Sequence, residues 1–199
     1  ADPEHPVTGP RAMPTTAQVT ATASYHFEMA QAYSQEGNPD RAIEEYKLTL
    51  MYDPKAAVVY ARLATEYIKK GMLSAAMETC KQAISIDPEA TDARMILANL
   101  YTNTQQNAEA IENFNAVLKV DPSNEEAAVY KAQALLDTDK NAEAIKTMKK
   151  FVKTNPESAL GWYYLGRTYH KTAKYAEAEK AYRKAIDVKP SFTQAMLSL

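Results

Sequence analysis

The sequence predicts an all-α fold, a solenoid of stacked helix pairs, on three observations. Prolines fall at Pro54, Pro88, Pro122, Pro156 and Pro190, each 34 residues after the last, and a fixed period of that length marks a repeat array. Two columns of small residues keep the same register: Ala42, Ala76, Ala110, Ala144 and Ala178 in one, and Ala30, Ala64, Ala98, Ala132 and Gly166 in the other. Around them the apolar residues recur with helical period, and turn residues split each period into two helices.

Residues 1–22 carry Pro3, Pro6, Pro10 and Pro14 among Thr and Ala, a composition that keeps a chain extended and gives it little to bury. They read as a flexible leader, suited to a tether from a membrane anchor or to an interdomain linker, with neither the basic start nor the apolar run of a signal peptide. Five units follow without insertion or deletion, at 23–56, 57–90, 91–124, 125–158 and 159–192. In each, the first helix ends at a turn such as Glu36-Gly37-Asn38-Pro39 or Lys70-Gly71-Met72-Leu73. Asn38 is expected to cap the second helix with Pro39 as its first residue, and Asn107 and Asn141 to cap the matching helices. Where the turn glycine is missing, Gln105, Asp139 and Ala173 stand in its place, and either a left-handed residue or a shifted stop remains open. Each unit closes on Asp53-Pro54 or its counterpart, because Pro cannot continue a helix and pushes its predecessor out of one. Thr193 to Leu199 read as the opening of a sixth first helix or of a capping helix. The sequence therefore predicts a thinly covered last face, on which Met196, Leu197 and Leu199 could pair with a second copy.

The small columns mark where the two helices of a unit cross, since only small side chains let backbones approach closely. Large apolar columns fill the core around them: Tyr33, Tyr67, Tyr101, Leu135 and Tyr169 on the first helices, Tyr46, Cys80, Phe114, Met148 and Tyr182 on the second. Lys131 departs from a column otherwise held by Met29, Leu63, Leu97 and Leu165, and is expected to snorkel to water along a packed stem.

Trp162, Leu165, Gly166, Tyr169, Ala178, Tyr182, Ala185 and Pro190 sit at the spacing of the tetratricopeptide repeat signature, and residues 23–192 as a whole resemble that family. The resemblance implies a right-handed superhelical solenoid of antiparallel helix pairs, with a concave groove lined by the first helices and used to bind peptides or partner domains. On that geometry one groove column reads Gln31, Thr65, Asn99, Gln133 and Arg167, side chains able to hydrogen-bond the backbone of an extended peptide. Beside it run Phe27, Ala61, Met95, Val129 and Tyr163, then Glu28, Arg62, Ile96, Tyr130 and Tyr164. The candidate partner-binding residues are Phe27, Gln31, Arg62, Thr65, Met95, Asn99, Tyr130, Gln133, Tyr163, Tyr164, Arg167 and Lys171. The aromatic and basic ones crowd near Trp162 and His170, a composition that interfaces favour. The Lys and Asn clamp with which some co-chaperones of this family hold a chaperone tail is not matched, since Phe27, Gln31, Arg62, Asp92 and Ile96 occupy its positions.

Composition argues against other classes. A net charge of −2 supplies no field to draw in a nucleic acid, and no apolar run is long enough for a membrane span. His5, His26 and His170 are too far apart in the register to share a metal, so neither metal nor cofactor is expected. Cys80 lies in a core column and reads as an inert thiol compatible with either redox compartment. Five glycines supply no phosphate loop. The pairs Glu44-Glu45 and Glu125-Glu126, and the stripe Lys146, Lys149, Lys150 and Lys153, read as solvated charge. Unit 23–56 has three basic and six acidic residues, net −3, and unit 159–192 seven and three, net +4, so the array carries a charge gradient. The function expected is a non-enzymatic scaffold or adaptor that binds a protein or peptide within a larger complex. A recruiting module of a longer enzyme and a self-assembling scaffold are the alternatives. Cytoplasmic and exported, membrane-tethered locations both stay open.

Overall fold

The computed structural model describes residues 13–198. Among them are eleven helices and no strand: α1 (Thr16–Gln35), α2 (Pro39–Tyr52), α3 (Ala57–Lys69), α4 (Leu73–Ile86), α5 (Thr91–Asn103), α6 (Asn107–Val120), α7 (Glu125–Asp137), α8 (Asn141–Thr154), α9 (Ala159–Lys171), α10 (Tyr175–Val188) and α11 (Thr193–Met196). Each helix packs on the next in sequence; α3 also packs on α5, and α7 on α9, whereas no second helix makes a comparable contact with the second helix of the next unit. At these two junctions close first helices and splayed second helices make the stack wedge-shaped. Stacked wedges curve into a superhelix with the first helices on the inner face.

Identical turn chemistry produces the hairpin in every unit. The amides of Asn38, Met72, Gln106, Lys140 and Lys174 donate to the carbonyls of Tyr33, Tyr67, Tyr101, Leu135 and Tyr169 at 2.8 to 2.9 Å, the six-to-one bond of a Schellman motif. That bond requires a left-handed residue just before the donor. Gly37 (φ 74°) and Gly71 (φ 71°) adopt it freely, and Gln105 (φ 59°), Asp139 (φ 57°) and Ala173 (φ 58°) adopt it against the Cβ penalty. Of the two possibilities left open, the turns keep the left-handed geometry and do not shift the stop.

Local expectations need correction in three places. The Asn38 carboxamide oxygen accepts from the Arg41 amide at 3.2 Å with Pro39 leading the helix, but α6 and α8 are capped by Gln106 and Lys140 with no side-chain cap bond. Asn107 and Asn141 lie one residue inside, because the 34-residue register aligns them with Pro39 and not with Asn38. Second, the leader does not stay extended to residue 22. A capping box, Gln18 amide to Thr15 Oγ1 at 3.3 Å and Thr15 amide to Gln18 Oε1 at 2.8 Å, starts α1 at Thr16, since no Pro or Gly interrupts the chain between Pro14 and Gly37. Residues 1–12 of the expected leader, His5 among them, lie outside the described residues. Third, two of the supposedly solvated carboxylates are structural. Glu45 Oε2 lies 2.6 Å from His26 Nδ1, both side chains mostly buried, and Glu125 accepts the Ser158 hydroxyl, binding α7 to the cap of α9.

Both small columns are buried throughout. At Gly166 a Cβ would meet ring carbons of Tyr182 at 2.5 Å, so the absent methyl is what lets the last pair close over tyrosine. Neighbouring units are pinned by one recurrent bond to the proline carbonyl. Tyr60 Oη donates to Pro54 (3.3 Å), Arg94 Nε to Pro88 (2.7 Å) and Trp162 Nε1 to Pro156 (2.8 Å). In the fourth unit Ala128 stands in that place with no donor, and Asn155 Nδ2 reaches the Pro122 carbonyl at 3.5 Å instead. Cys80 is fully buried, and burial pushes its thiol up to about 12.

Candidate peptide-binding groove

The wedge geometry turns the same face of α1, α3, α5, α7 and α9 into the concave side. The twelve candidate residues project from these helices but do not form one continuous site. Phe27 packs on Tyr46, ring centroids 6.0 Å apart, and belongs to the first core cluster; Met95 packs likewise against the cluster around Phe114. Thr65 donates its hydroxyl to the Ala61 carbonyl of its own helix at 3.2 Å. Gln31 and Asn99 are half-buried and Arg62 is exposed. Tyr130 is exposed on its outer edge, with its ring 6.2 Å from Phe114.

At α7 and α9 the candidates do converge. Gln133 Nε2 donates to Asp137 Oδ1 at 2.6 Å, and its Oε1 accepts from Lys171 Nζ at 3.2 Å, so one amide bridges the two groove helices. The Arg167 guanidinium carbon lies 5.4 Å from the Tyr164 ring centroid and 6.0 Å from that of Tyr163, within reach of a cation–π attraction. Tyr163 is itself held by Tyr182 (5.8 Å) and edge-on by Phe192 (5.4 Å). Beside these groups opens a recess of about 380 Å³ lined by Tyr163, Arg167, His170, Lys171, Tyr182 and Leu197. Its walls pair rigid aromatic surface with two cations. This corner can take an extended segment by stacking and by charge-assisted hydrogen bonds to carboxylate or backbone carbonyl oxygens.

Two groups invisible to the sequence reading join the groove wall at its other end. Glu66 on α3 is buried; its Oε1 accepts from Ser34 Oγ on α1 at 2.6 Å and from Lys69 Nζ at 2.7 Å, and Oε2 has no partner. Ser34 and Glu66 are 32 residues apart, and only the fold brings them together. Among the described residues no three His, Cys, Asp or Glu side chains gather as a metal site, and no helix is long and apolar enough to cross a membrane.

An all-α stack of hairpins with its first helices walling a groove defines a helical-repeat protein. The chain belongs to the tetratricopeptide repeat family: the family pattern described as tetratricopeptide repeat matches residues 33–100 and 67–136, and a related one, described as anaphase-promoting complex, cyclosome, subunit 3, matches residues 103–185. No curated protein matches in sequence. Among solved structures, the MamA protein aligns with a TM-score of 0.74 at 19% identity, over 88% of this chain and 96% of its own. A tetratricopeptide repeat protein from Parabacteroides merdae aligns with a TM-score of 0.76 at 18% identity, over 89% and 71%. YrrB, described as having an unusual peptide-binding site, aligns with a TM-score of 0.70 at 20% identity, over 92% and 98%. At such identities these likenesses establish the fold alone.

Proposed function

We propose that the chain is a non-enzymatic interaction scaffold that holds an extended segment of a partner protein in its concave groove, anchored at Gln133, Tyr163, Tyr164, Arg167 and Lys171. The observation that carries this reading is the Arg167 guanidinium laid beside two tyrosine rings at the edge of an open recess. Tyr and Arg dominate binding energy where rigid side chains meet a partner at low entropic cost. The peptide-binding site ascribed to YrrB on the same fold lends support. The toward-basic end of the charge gradient favours a segment carrying carboxylates.

The test is a pull-down from the native source with mass spectrometry, comparing the wild type with a variant carrying Gln133→Ala, Arg167→Glu and Lys171→Glu. Tyr163 is left intact because it packs on Tyr182 and Phe192. A partner lost from the variant alone supports the groove; one retained equally refutes it. A second reading, pairing of copies through the final turns, is supported by Met196 and Leu197, which are 47% and 84% exposed; Leu199 lies outside the described residues. Light scattering across a concentration series tests it, and a mass independent of concentration removes it.

A further inference from the structure

A wide recess lies on the other side of α9. Trp162, Leu165 and Tyr169 point away from Arg167 and Lys171 around that helix, and with Val152 of α8 and Ala181 of α10 they floor a slot of about 660 Å³ on the convex face. That volume falls in the range of about 300–1,000 Å³ found for sites that engulf a ligand. The slot exists because α8 and α10, both second helices, splay apart. Its rims are lysine rails. Lys149 and Lys153 edge α8, Lys180 and Lys184 edge α10, and Glu177 is the one acid in the lining. Four residues of helix set the backbone positions of the two lysines of each rail about 6 Å apart along the axis. None of these lysines forms an ion pair among the described residues.

The equivalent slot one unit earlier is closed down. Its volume is about 210 Å³, with Lys131 in the place that Leu165 holds and Ala128 in that of Trp162, so its floor carries an ammonium stem and no large ring. Successive units of the same fold thus differ in how open this slot is.

We propose that this convex slot is a second docking site, and that its occupant is an acidic protein segment that inserts a large apolar side chain between α8 and α10 while its carboxylates meet the two lysine rails. Charge complementarity commits the site to this occupant. An apolar floor inside a cationic rim is the arrangement of an interface anchor pocket with its polar margin, here with unpaired charge of one sign on both banks. A nucleic acid is a poorer match. It would stack on an open aromatic face, and Trp162 is half-buried, with its indole N–H tied to the Pro156 carbonyl at 2.8 Å. The site goes beyond the concave-groove reading and stands or falls separately from it.

Trp162 is the only tryptophan of the chain, so its fluorescence reports occupancy of the slot directly. The experiment titrates an unlabelled synthetic peptide, a Phe-Leu core between two runs of glutamate, into the whole chain. The expected result is saturable change in Trp162 emission, weakened by roughly ten-fold or more in a Lys153→Glu, Lys184→Glu variant and unchanged in an Arg167→Glu, Lys171→Glu variant. Both pairs are exposed, and circular dichroism checks that each variant is folded. No change in emission with this peptide overturns the proposal. So does equal binding of polyglutamate, which would reduce the site to bare charge, or tighter binding of duplex DNA or of vesicles rich in phosphatidylserine. Loss of groove binding with the slot intact, or the reverse, tells the two sites apart.

Discussion

Replacing Lys131 with leucine is expected to stabilise the array by about 1 kcal/mol. On α7 it holds the position at which Leu63, Leu97 and Leu165 are 4%, 3% and 3% exposed. The apolar part of its wall is made by Leu118, Ala128 and Phe151, beside Lys119, Thr147 and Lys150, and it forms no ion pair among the described residues. Burial holds its ammonium below the usual lysine range; Glu143 pulls it back up, while Lys150 and Lys146 push it further down. A buried leucine is worth about 1.5–3 kcal/mol over an exposed one, and the lysine stem already captures about half of that by lying along the same wall. At this chain length about 1 kcal/mol moves Tm by about 2–4 °C. Differential scanning calorimetry reads the shift at pH 7. A lysine with a lowered folded pKa suffers its full penalty where both states are protonated, and the penalty vanishes as pH rises through the folded value and past 10.5. The leucine advantage should therefore shrink in alkali. An equal or lower Tm at pH 7 would refute the reasoning, because it would mean that the ammonium gains more from its surroundings than it loses.

Ala173→Gly should raise Tm by a few degrees, since the left-handed turn at φ 58° costs a Cβ-bearing residue roughly 1 kcal/mol that glycine does not incur; thermal melts followed by circular dichroism check it. Gly166→Ala should lower the denaturation midpoint by the equivalent of about 1–3 kcal/mol, because the new methyl would sit 2.5 Å from the Tyr182 ring; a urea titration with an unchanged midpoint would show that the ring can move aside. Stability should also fall in alkali. The Cys80 thiol rises from 9.0 to about 12 on folding, so its contribution is whole below about pH 9 and is lost as pH climbs toward 12, with buried Tyr46 and Tyr182 and half-buried Tyr169 shifted in the same direction. In melts from pH 8 to pH 11, taken in roughly one-unit steps, a Cys80→Val variant should lose less stability than the wild type.

The 34-residue register made the hairpins, the small columns and the core legible, because each is a property of position within a unit. What escaped depends on neighbours across units. Glu66 and Ser34 meet only through stacking, as Lys149 and Lys184 come to edge one slot, and no periodicity in the sequence marks which inter-unit wall closes and which stays open. The same limit explains the groove candidates. Phe27 and Met95 stand at the boundary between the concave face and the core, and a helical period gives an angle around the axis without saying how far the next unit overlaps it. His26 and Glu45 were separable as a lone histidine and a surface acid until α1 and α2 brought them within 2.6 Å. Asn107 and Asn141 show a narrower failure, in which a favourable residue type outweighed the register one position away.

The two proposed sites share a helix and a sign of charge, and that sharing constrains how they discriminate. Unit 159–192 carries net +4, so its field draws an acidic segment toward both faces of α9 alike. Attraction of this kind raises encounter rate more than it sets final affinity. Discrimination must then come from the apolar surface beneath the charge. The groove corner offers ring faces already stacked on Arg167 and braced by Tyr182 and Phe192, which suit a backbone lying flat across them. The slot offers more room, about 660 Å³ against about 380 Å³, over an apolar floor, which suits a bulky side chain. A segment with carboxylates and no apolar anchor would be recruited by either face and retained by neither, which is why polyglutamate is the decisive control for the slot.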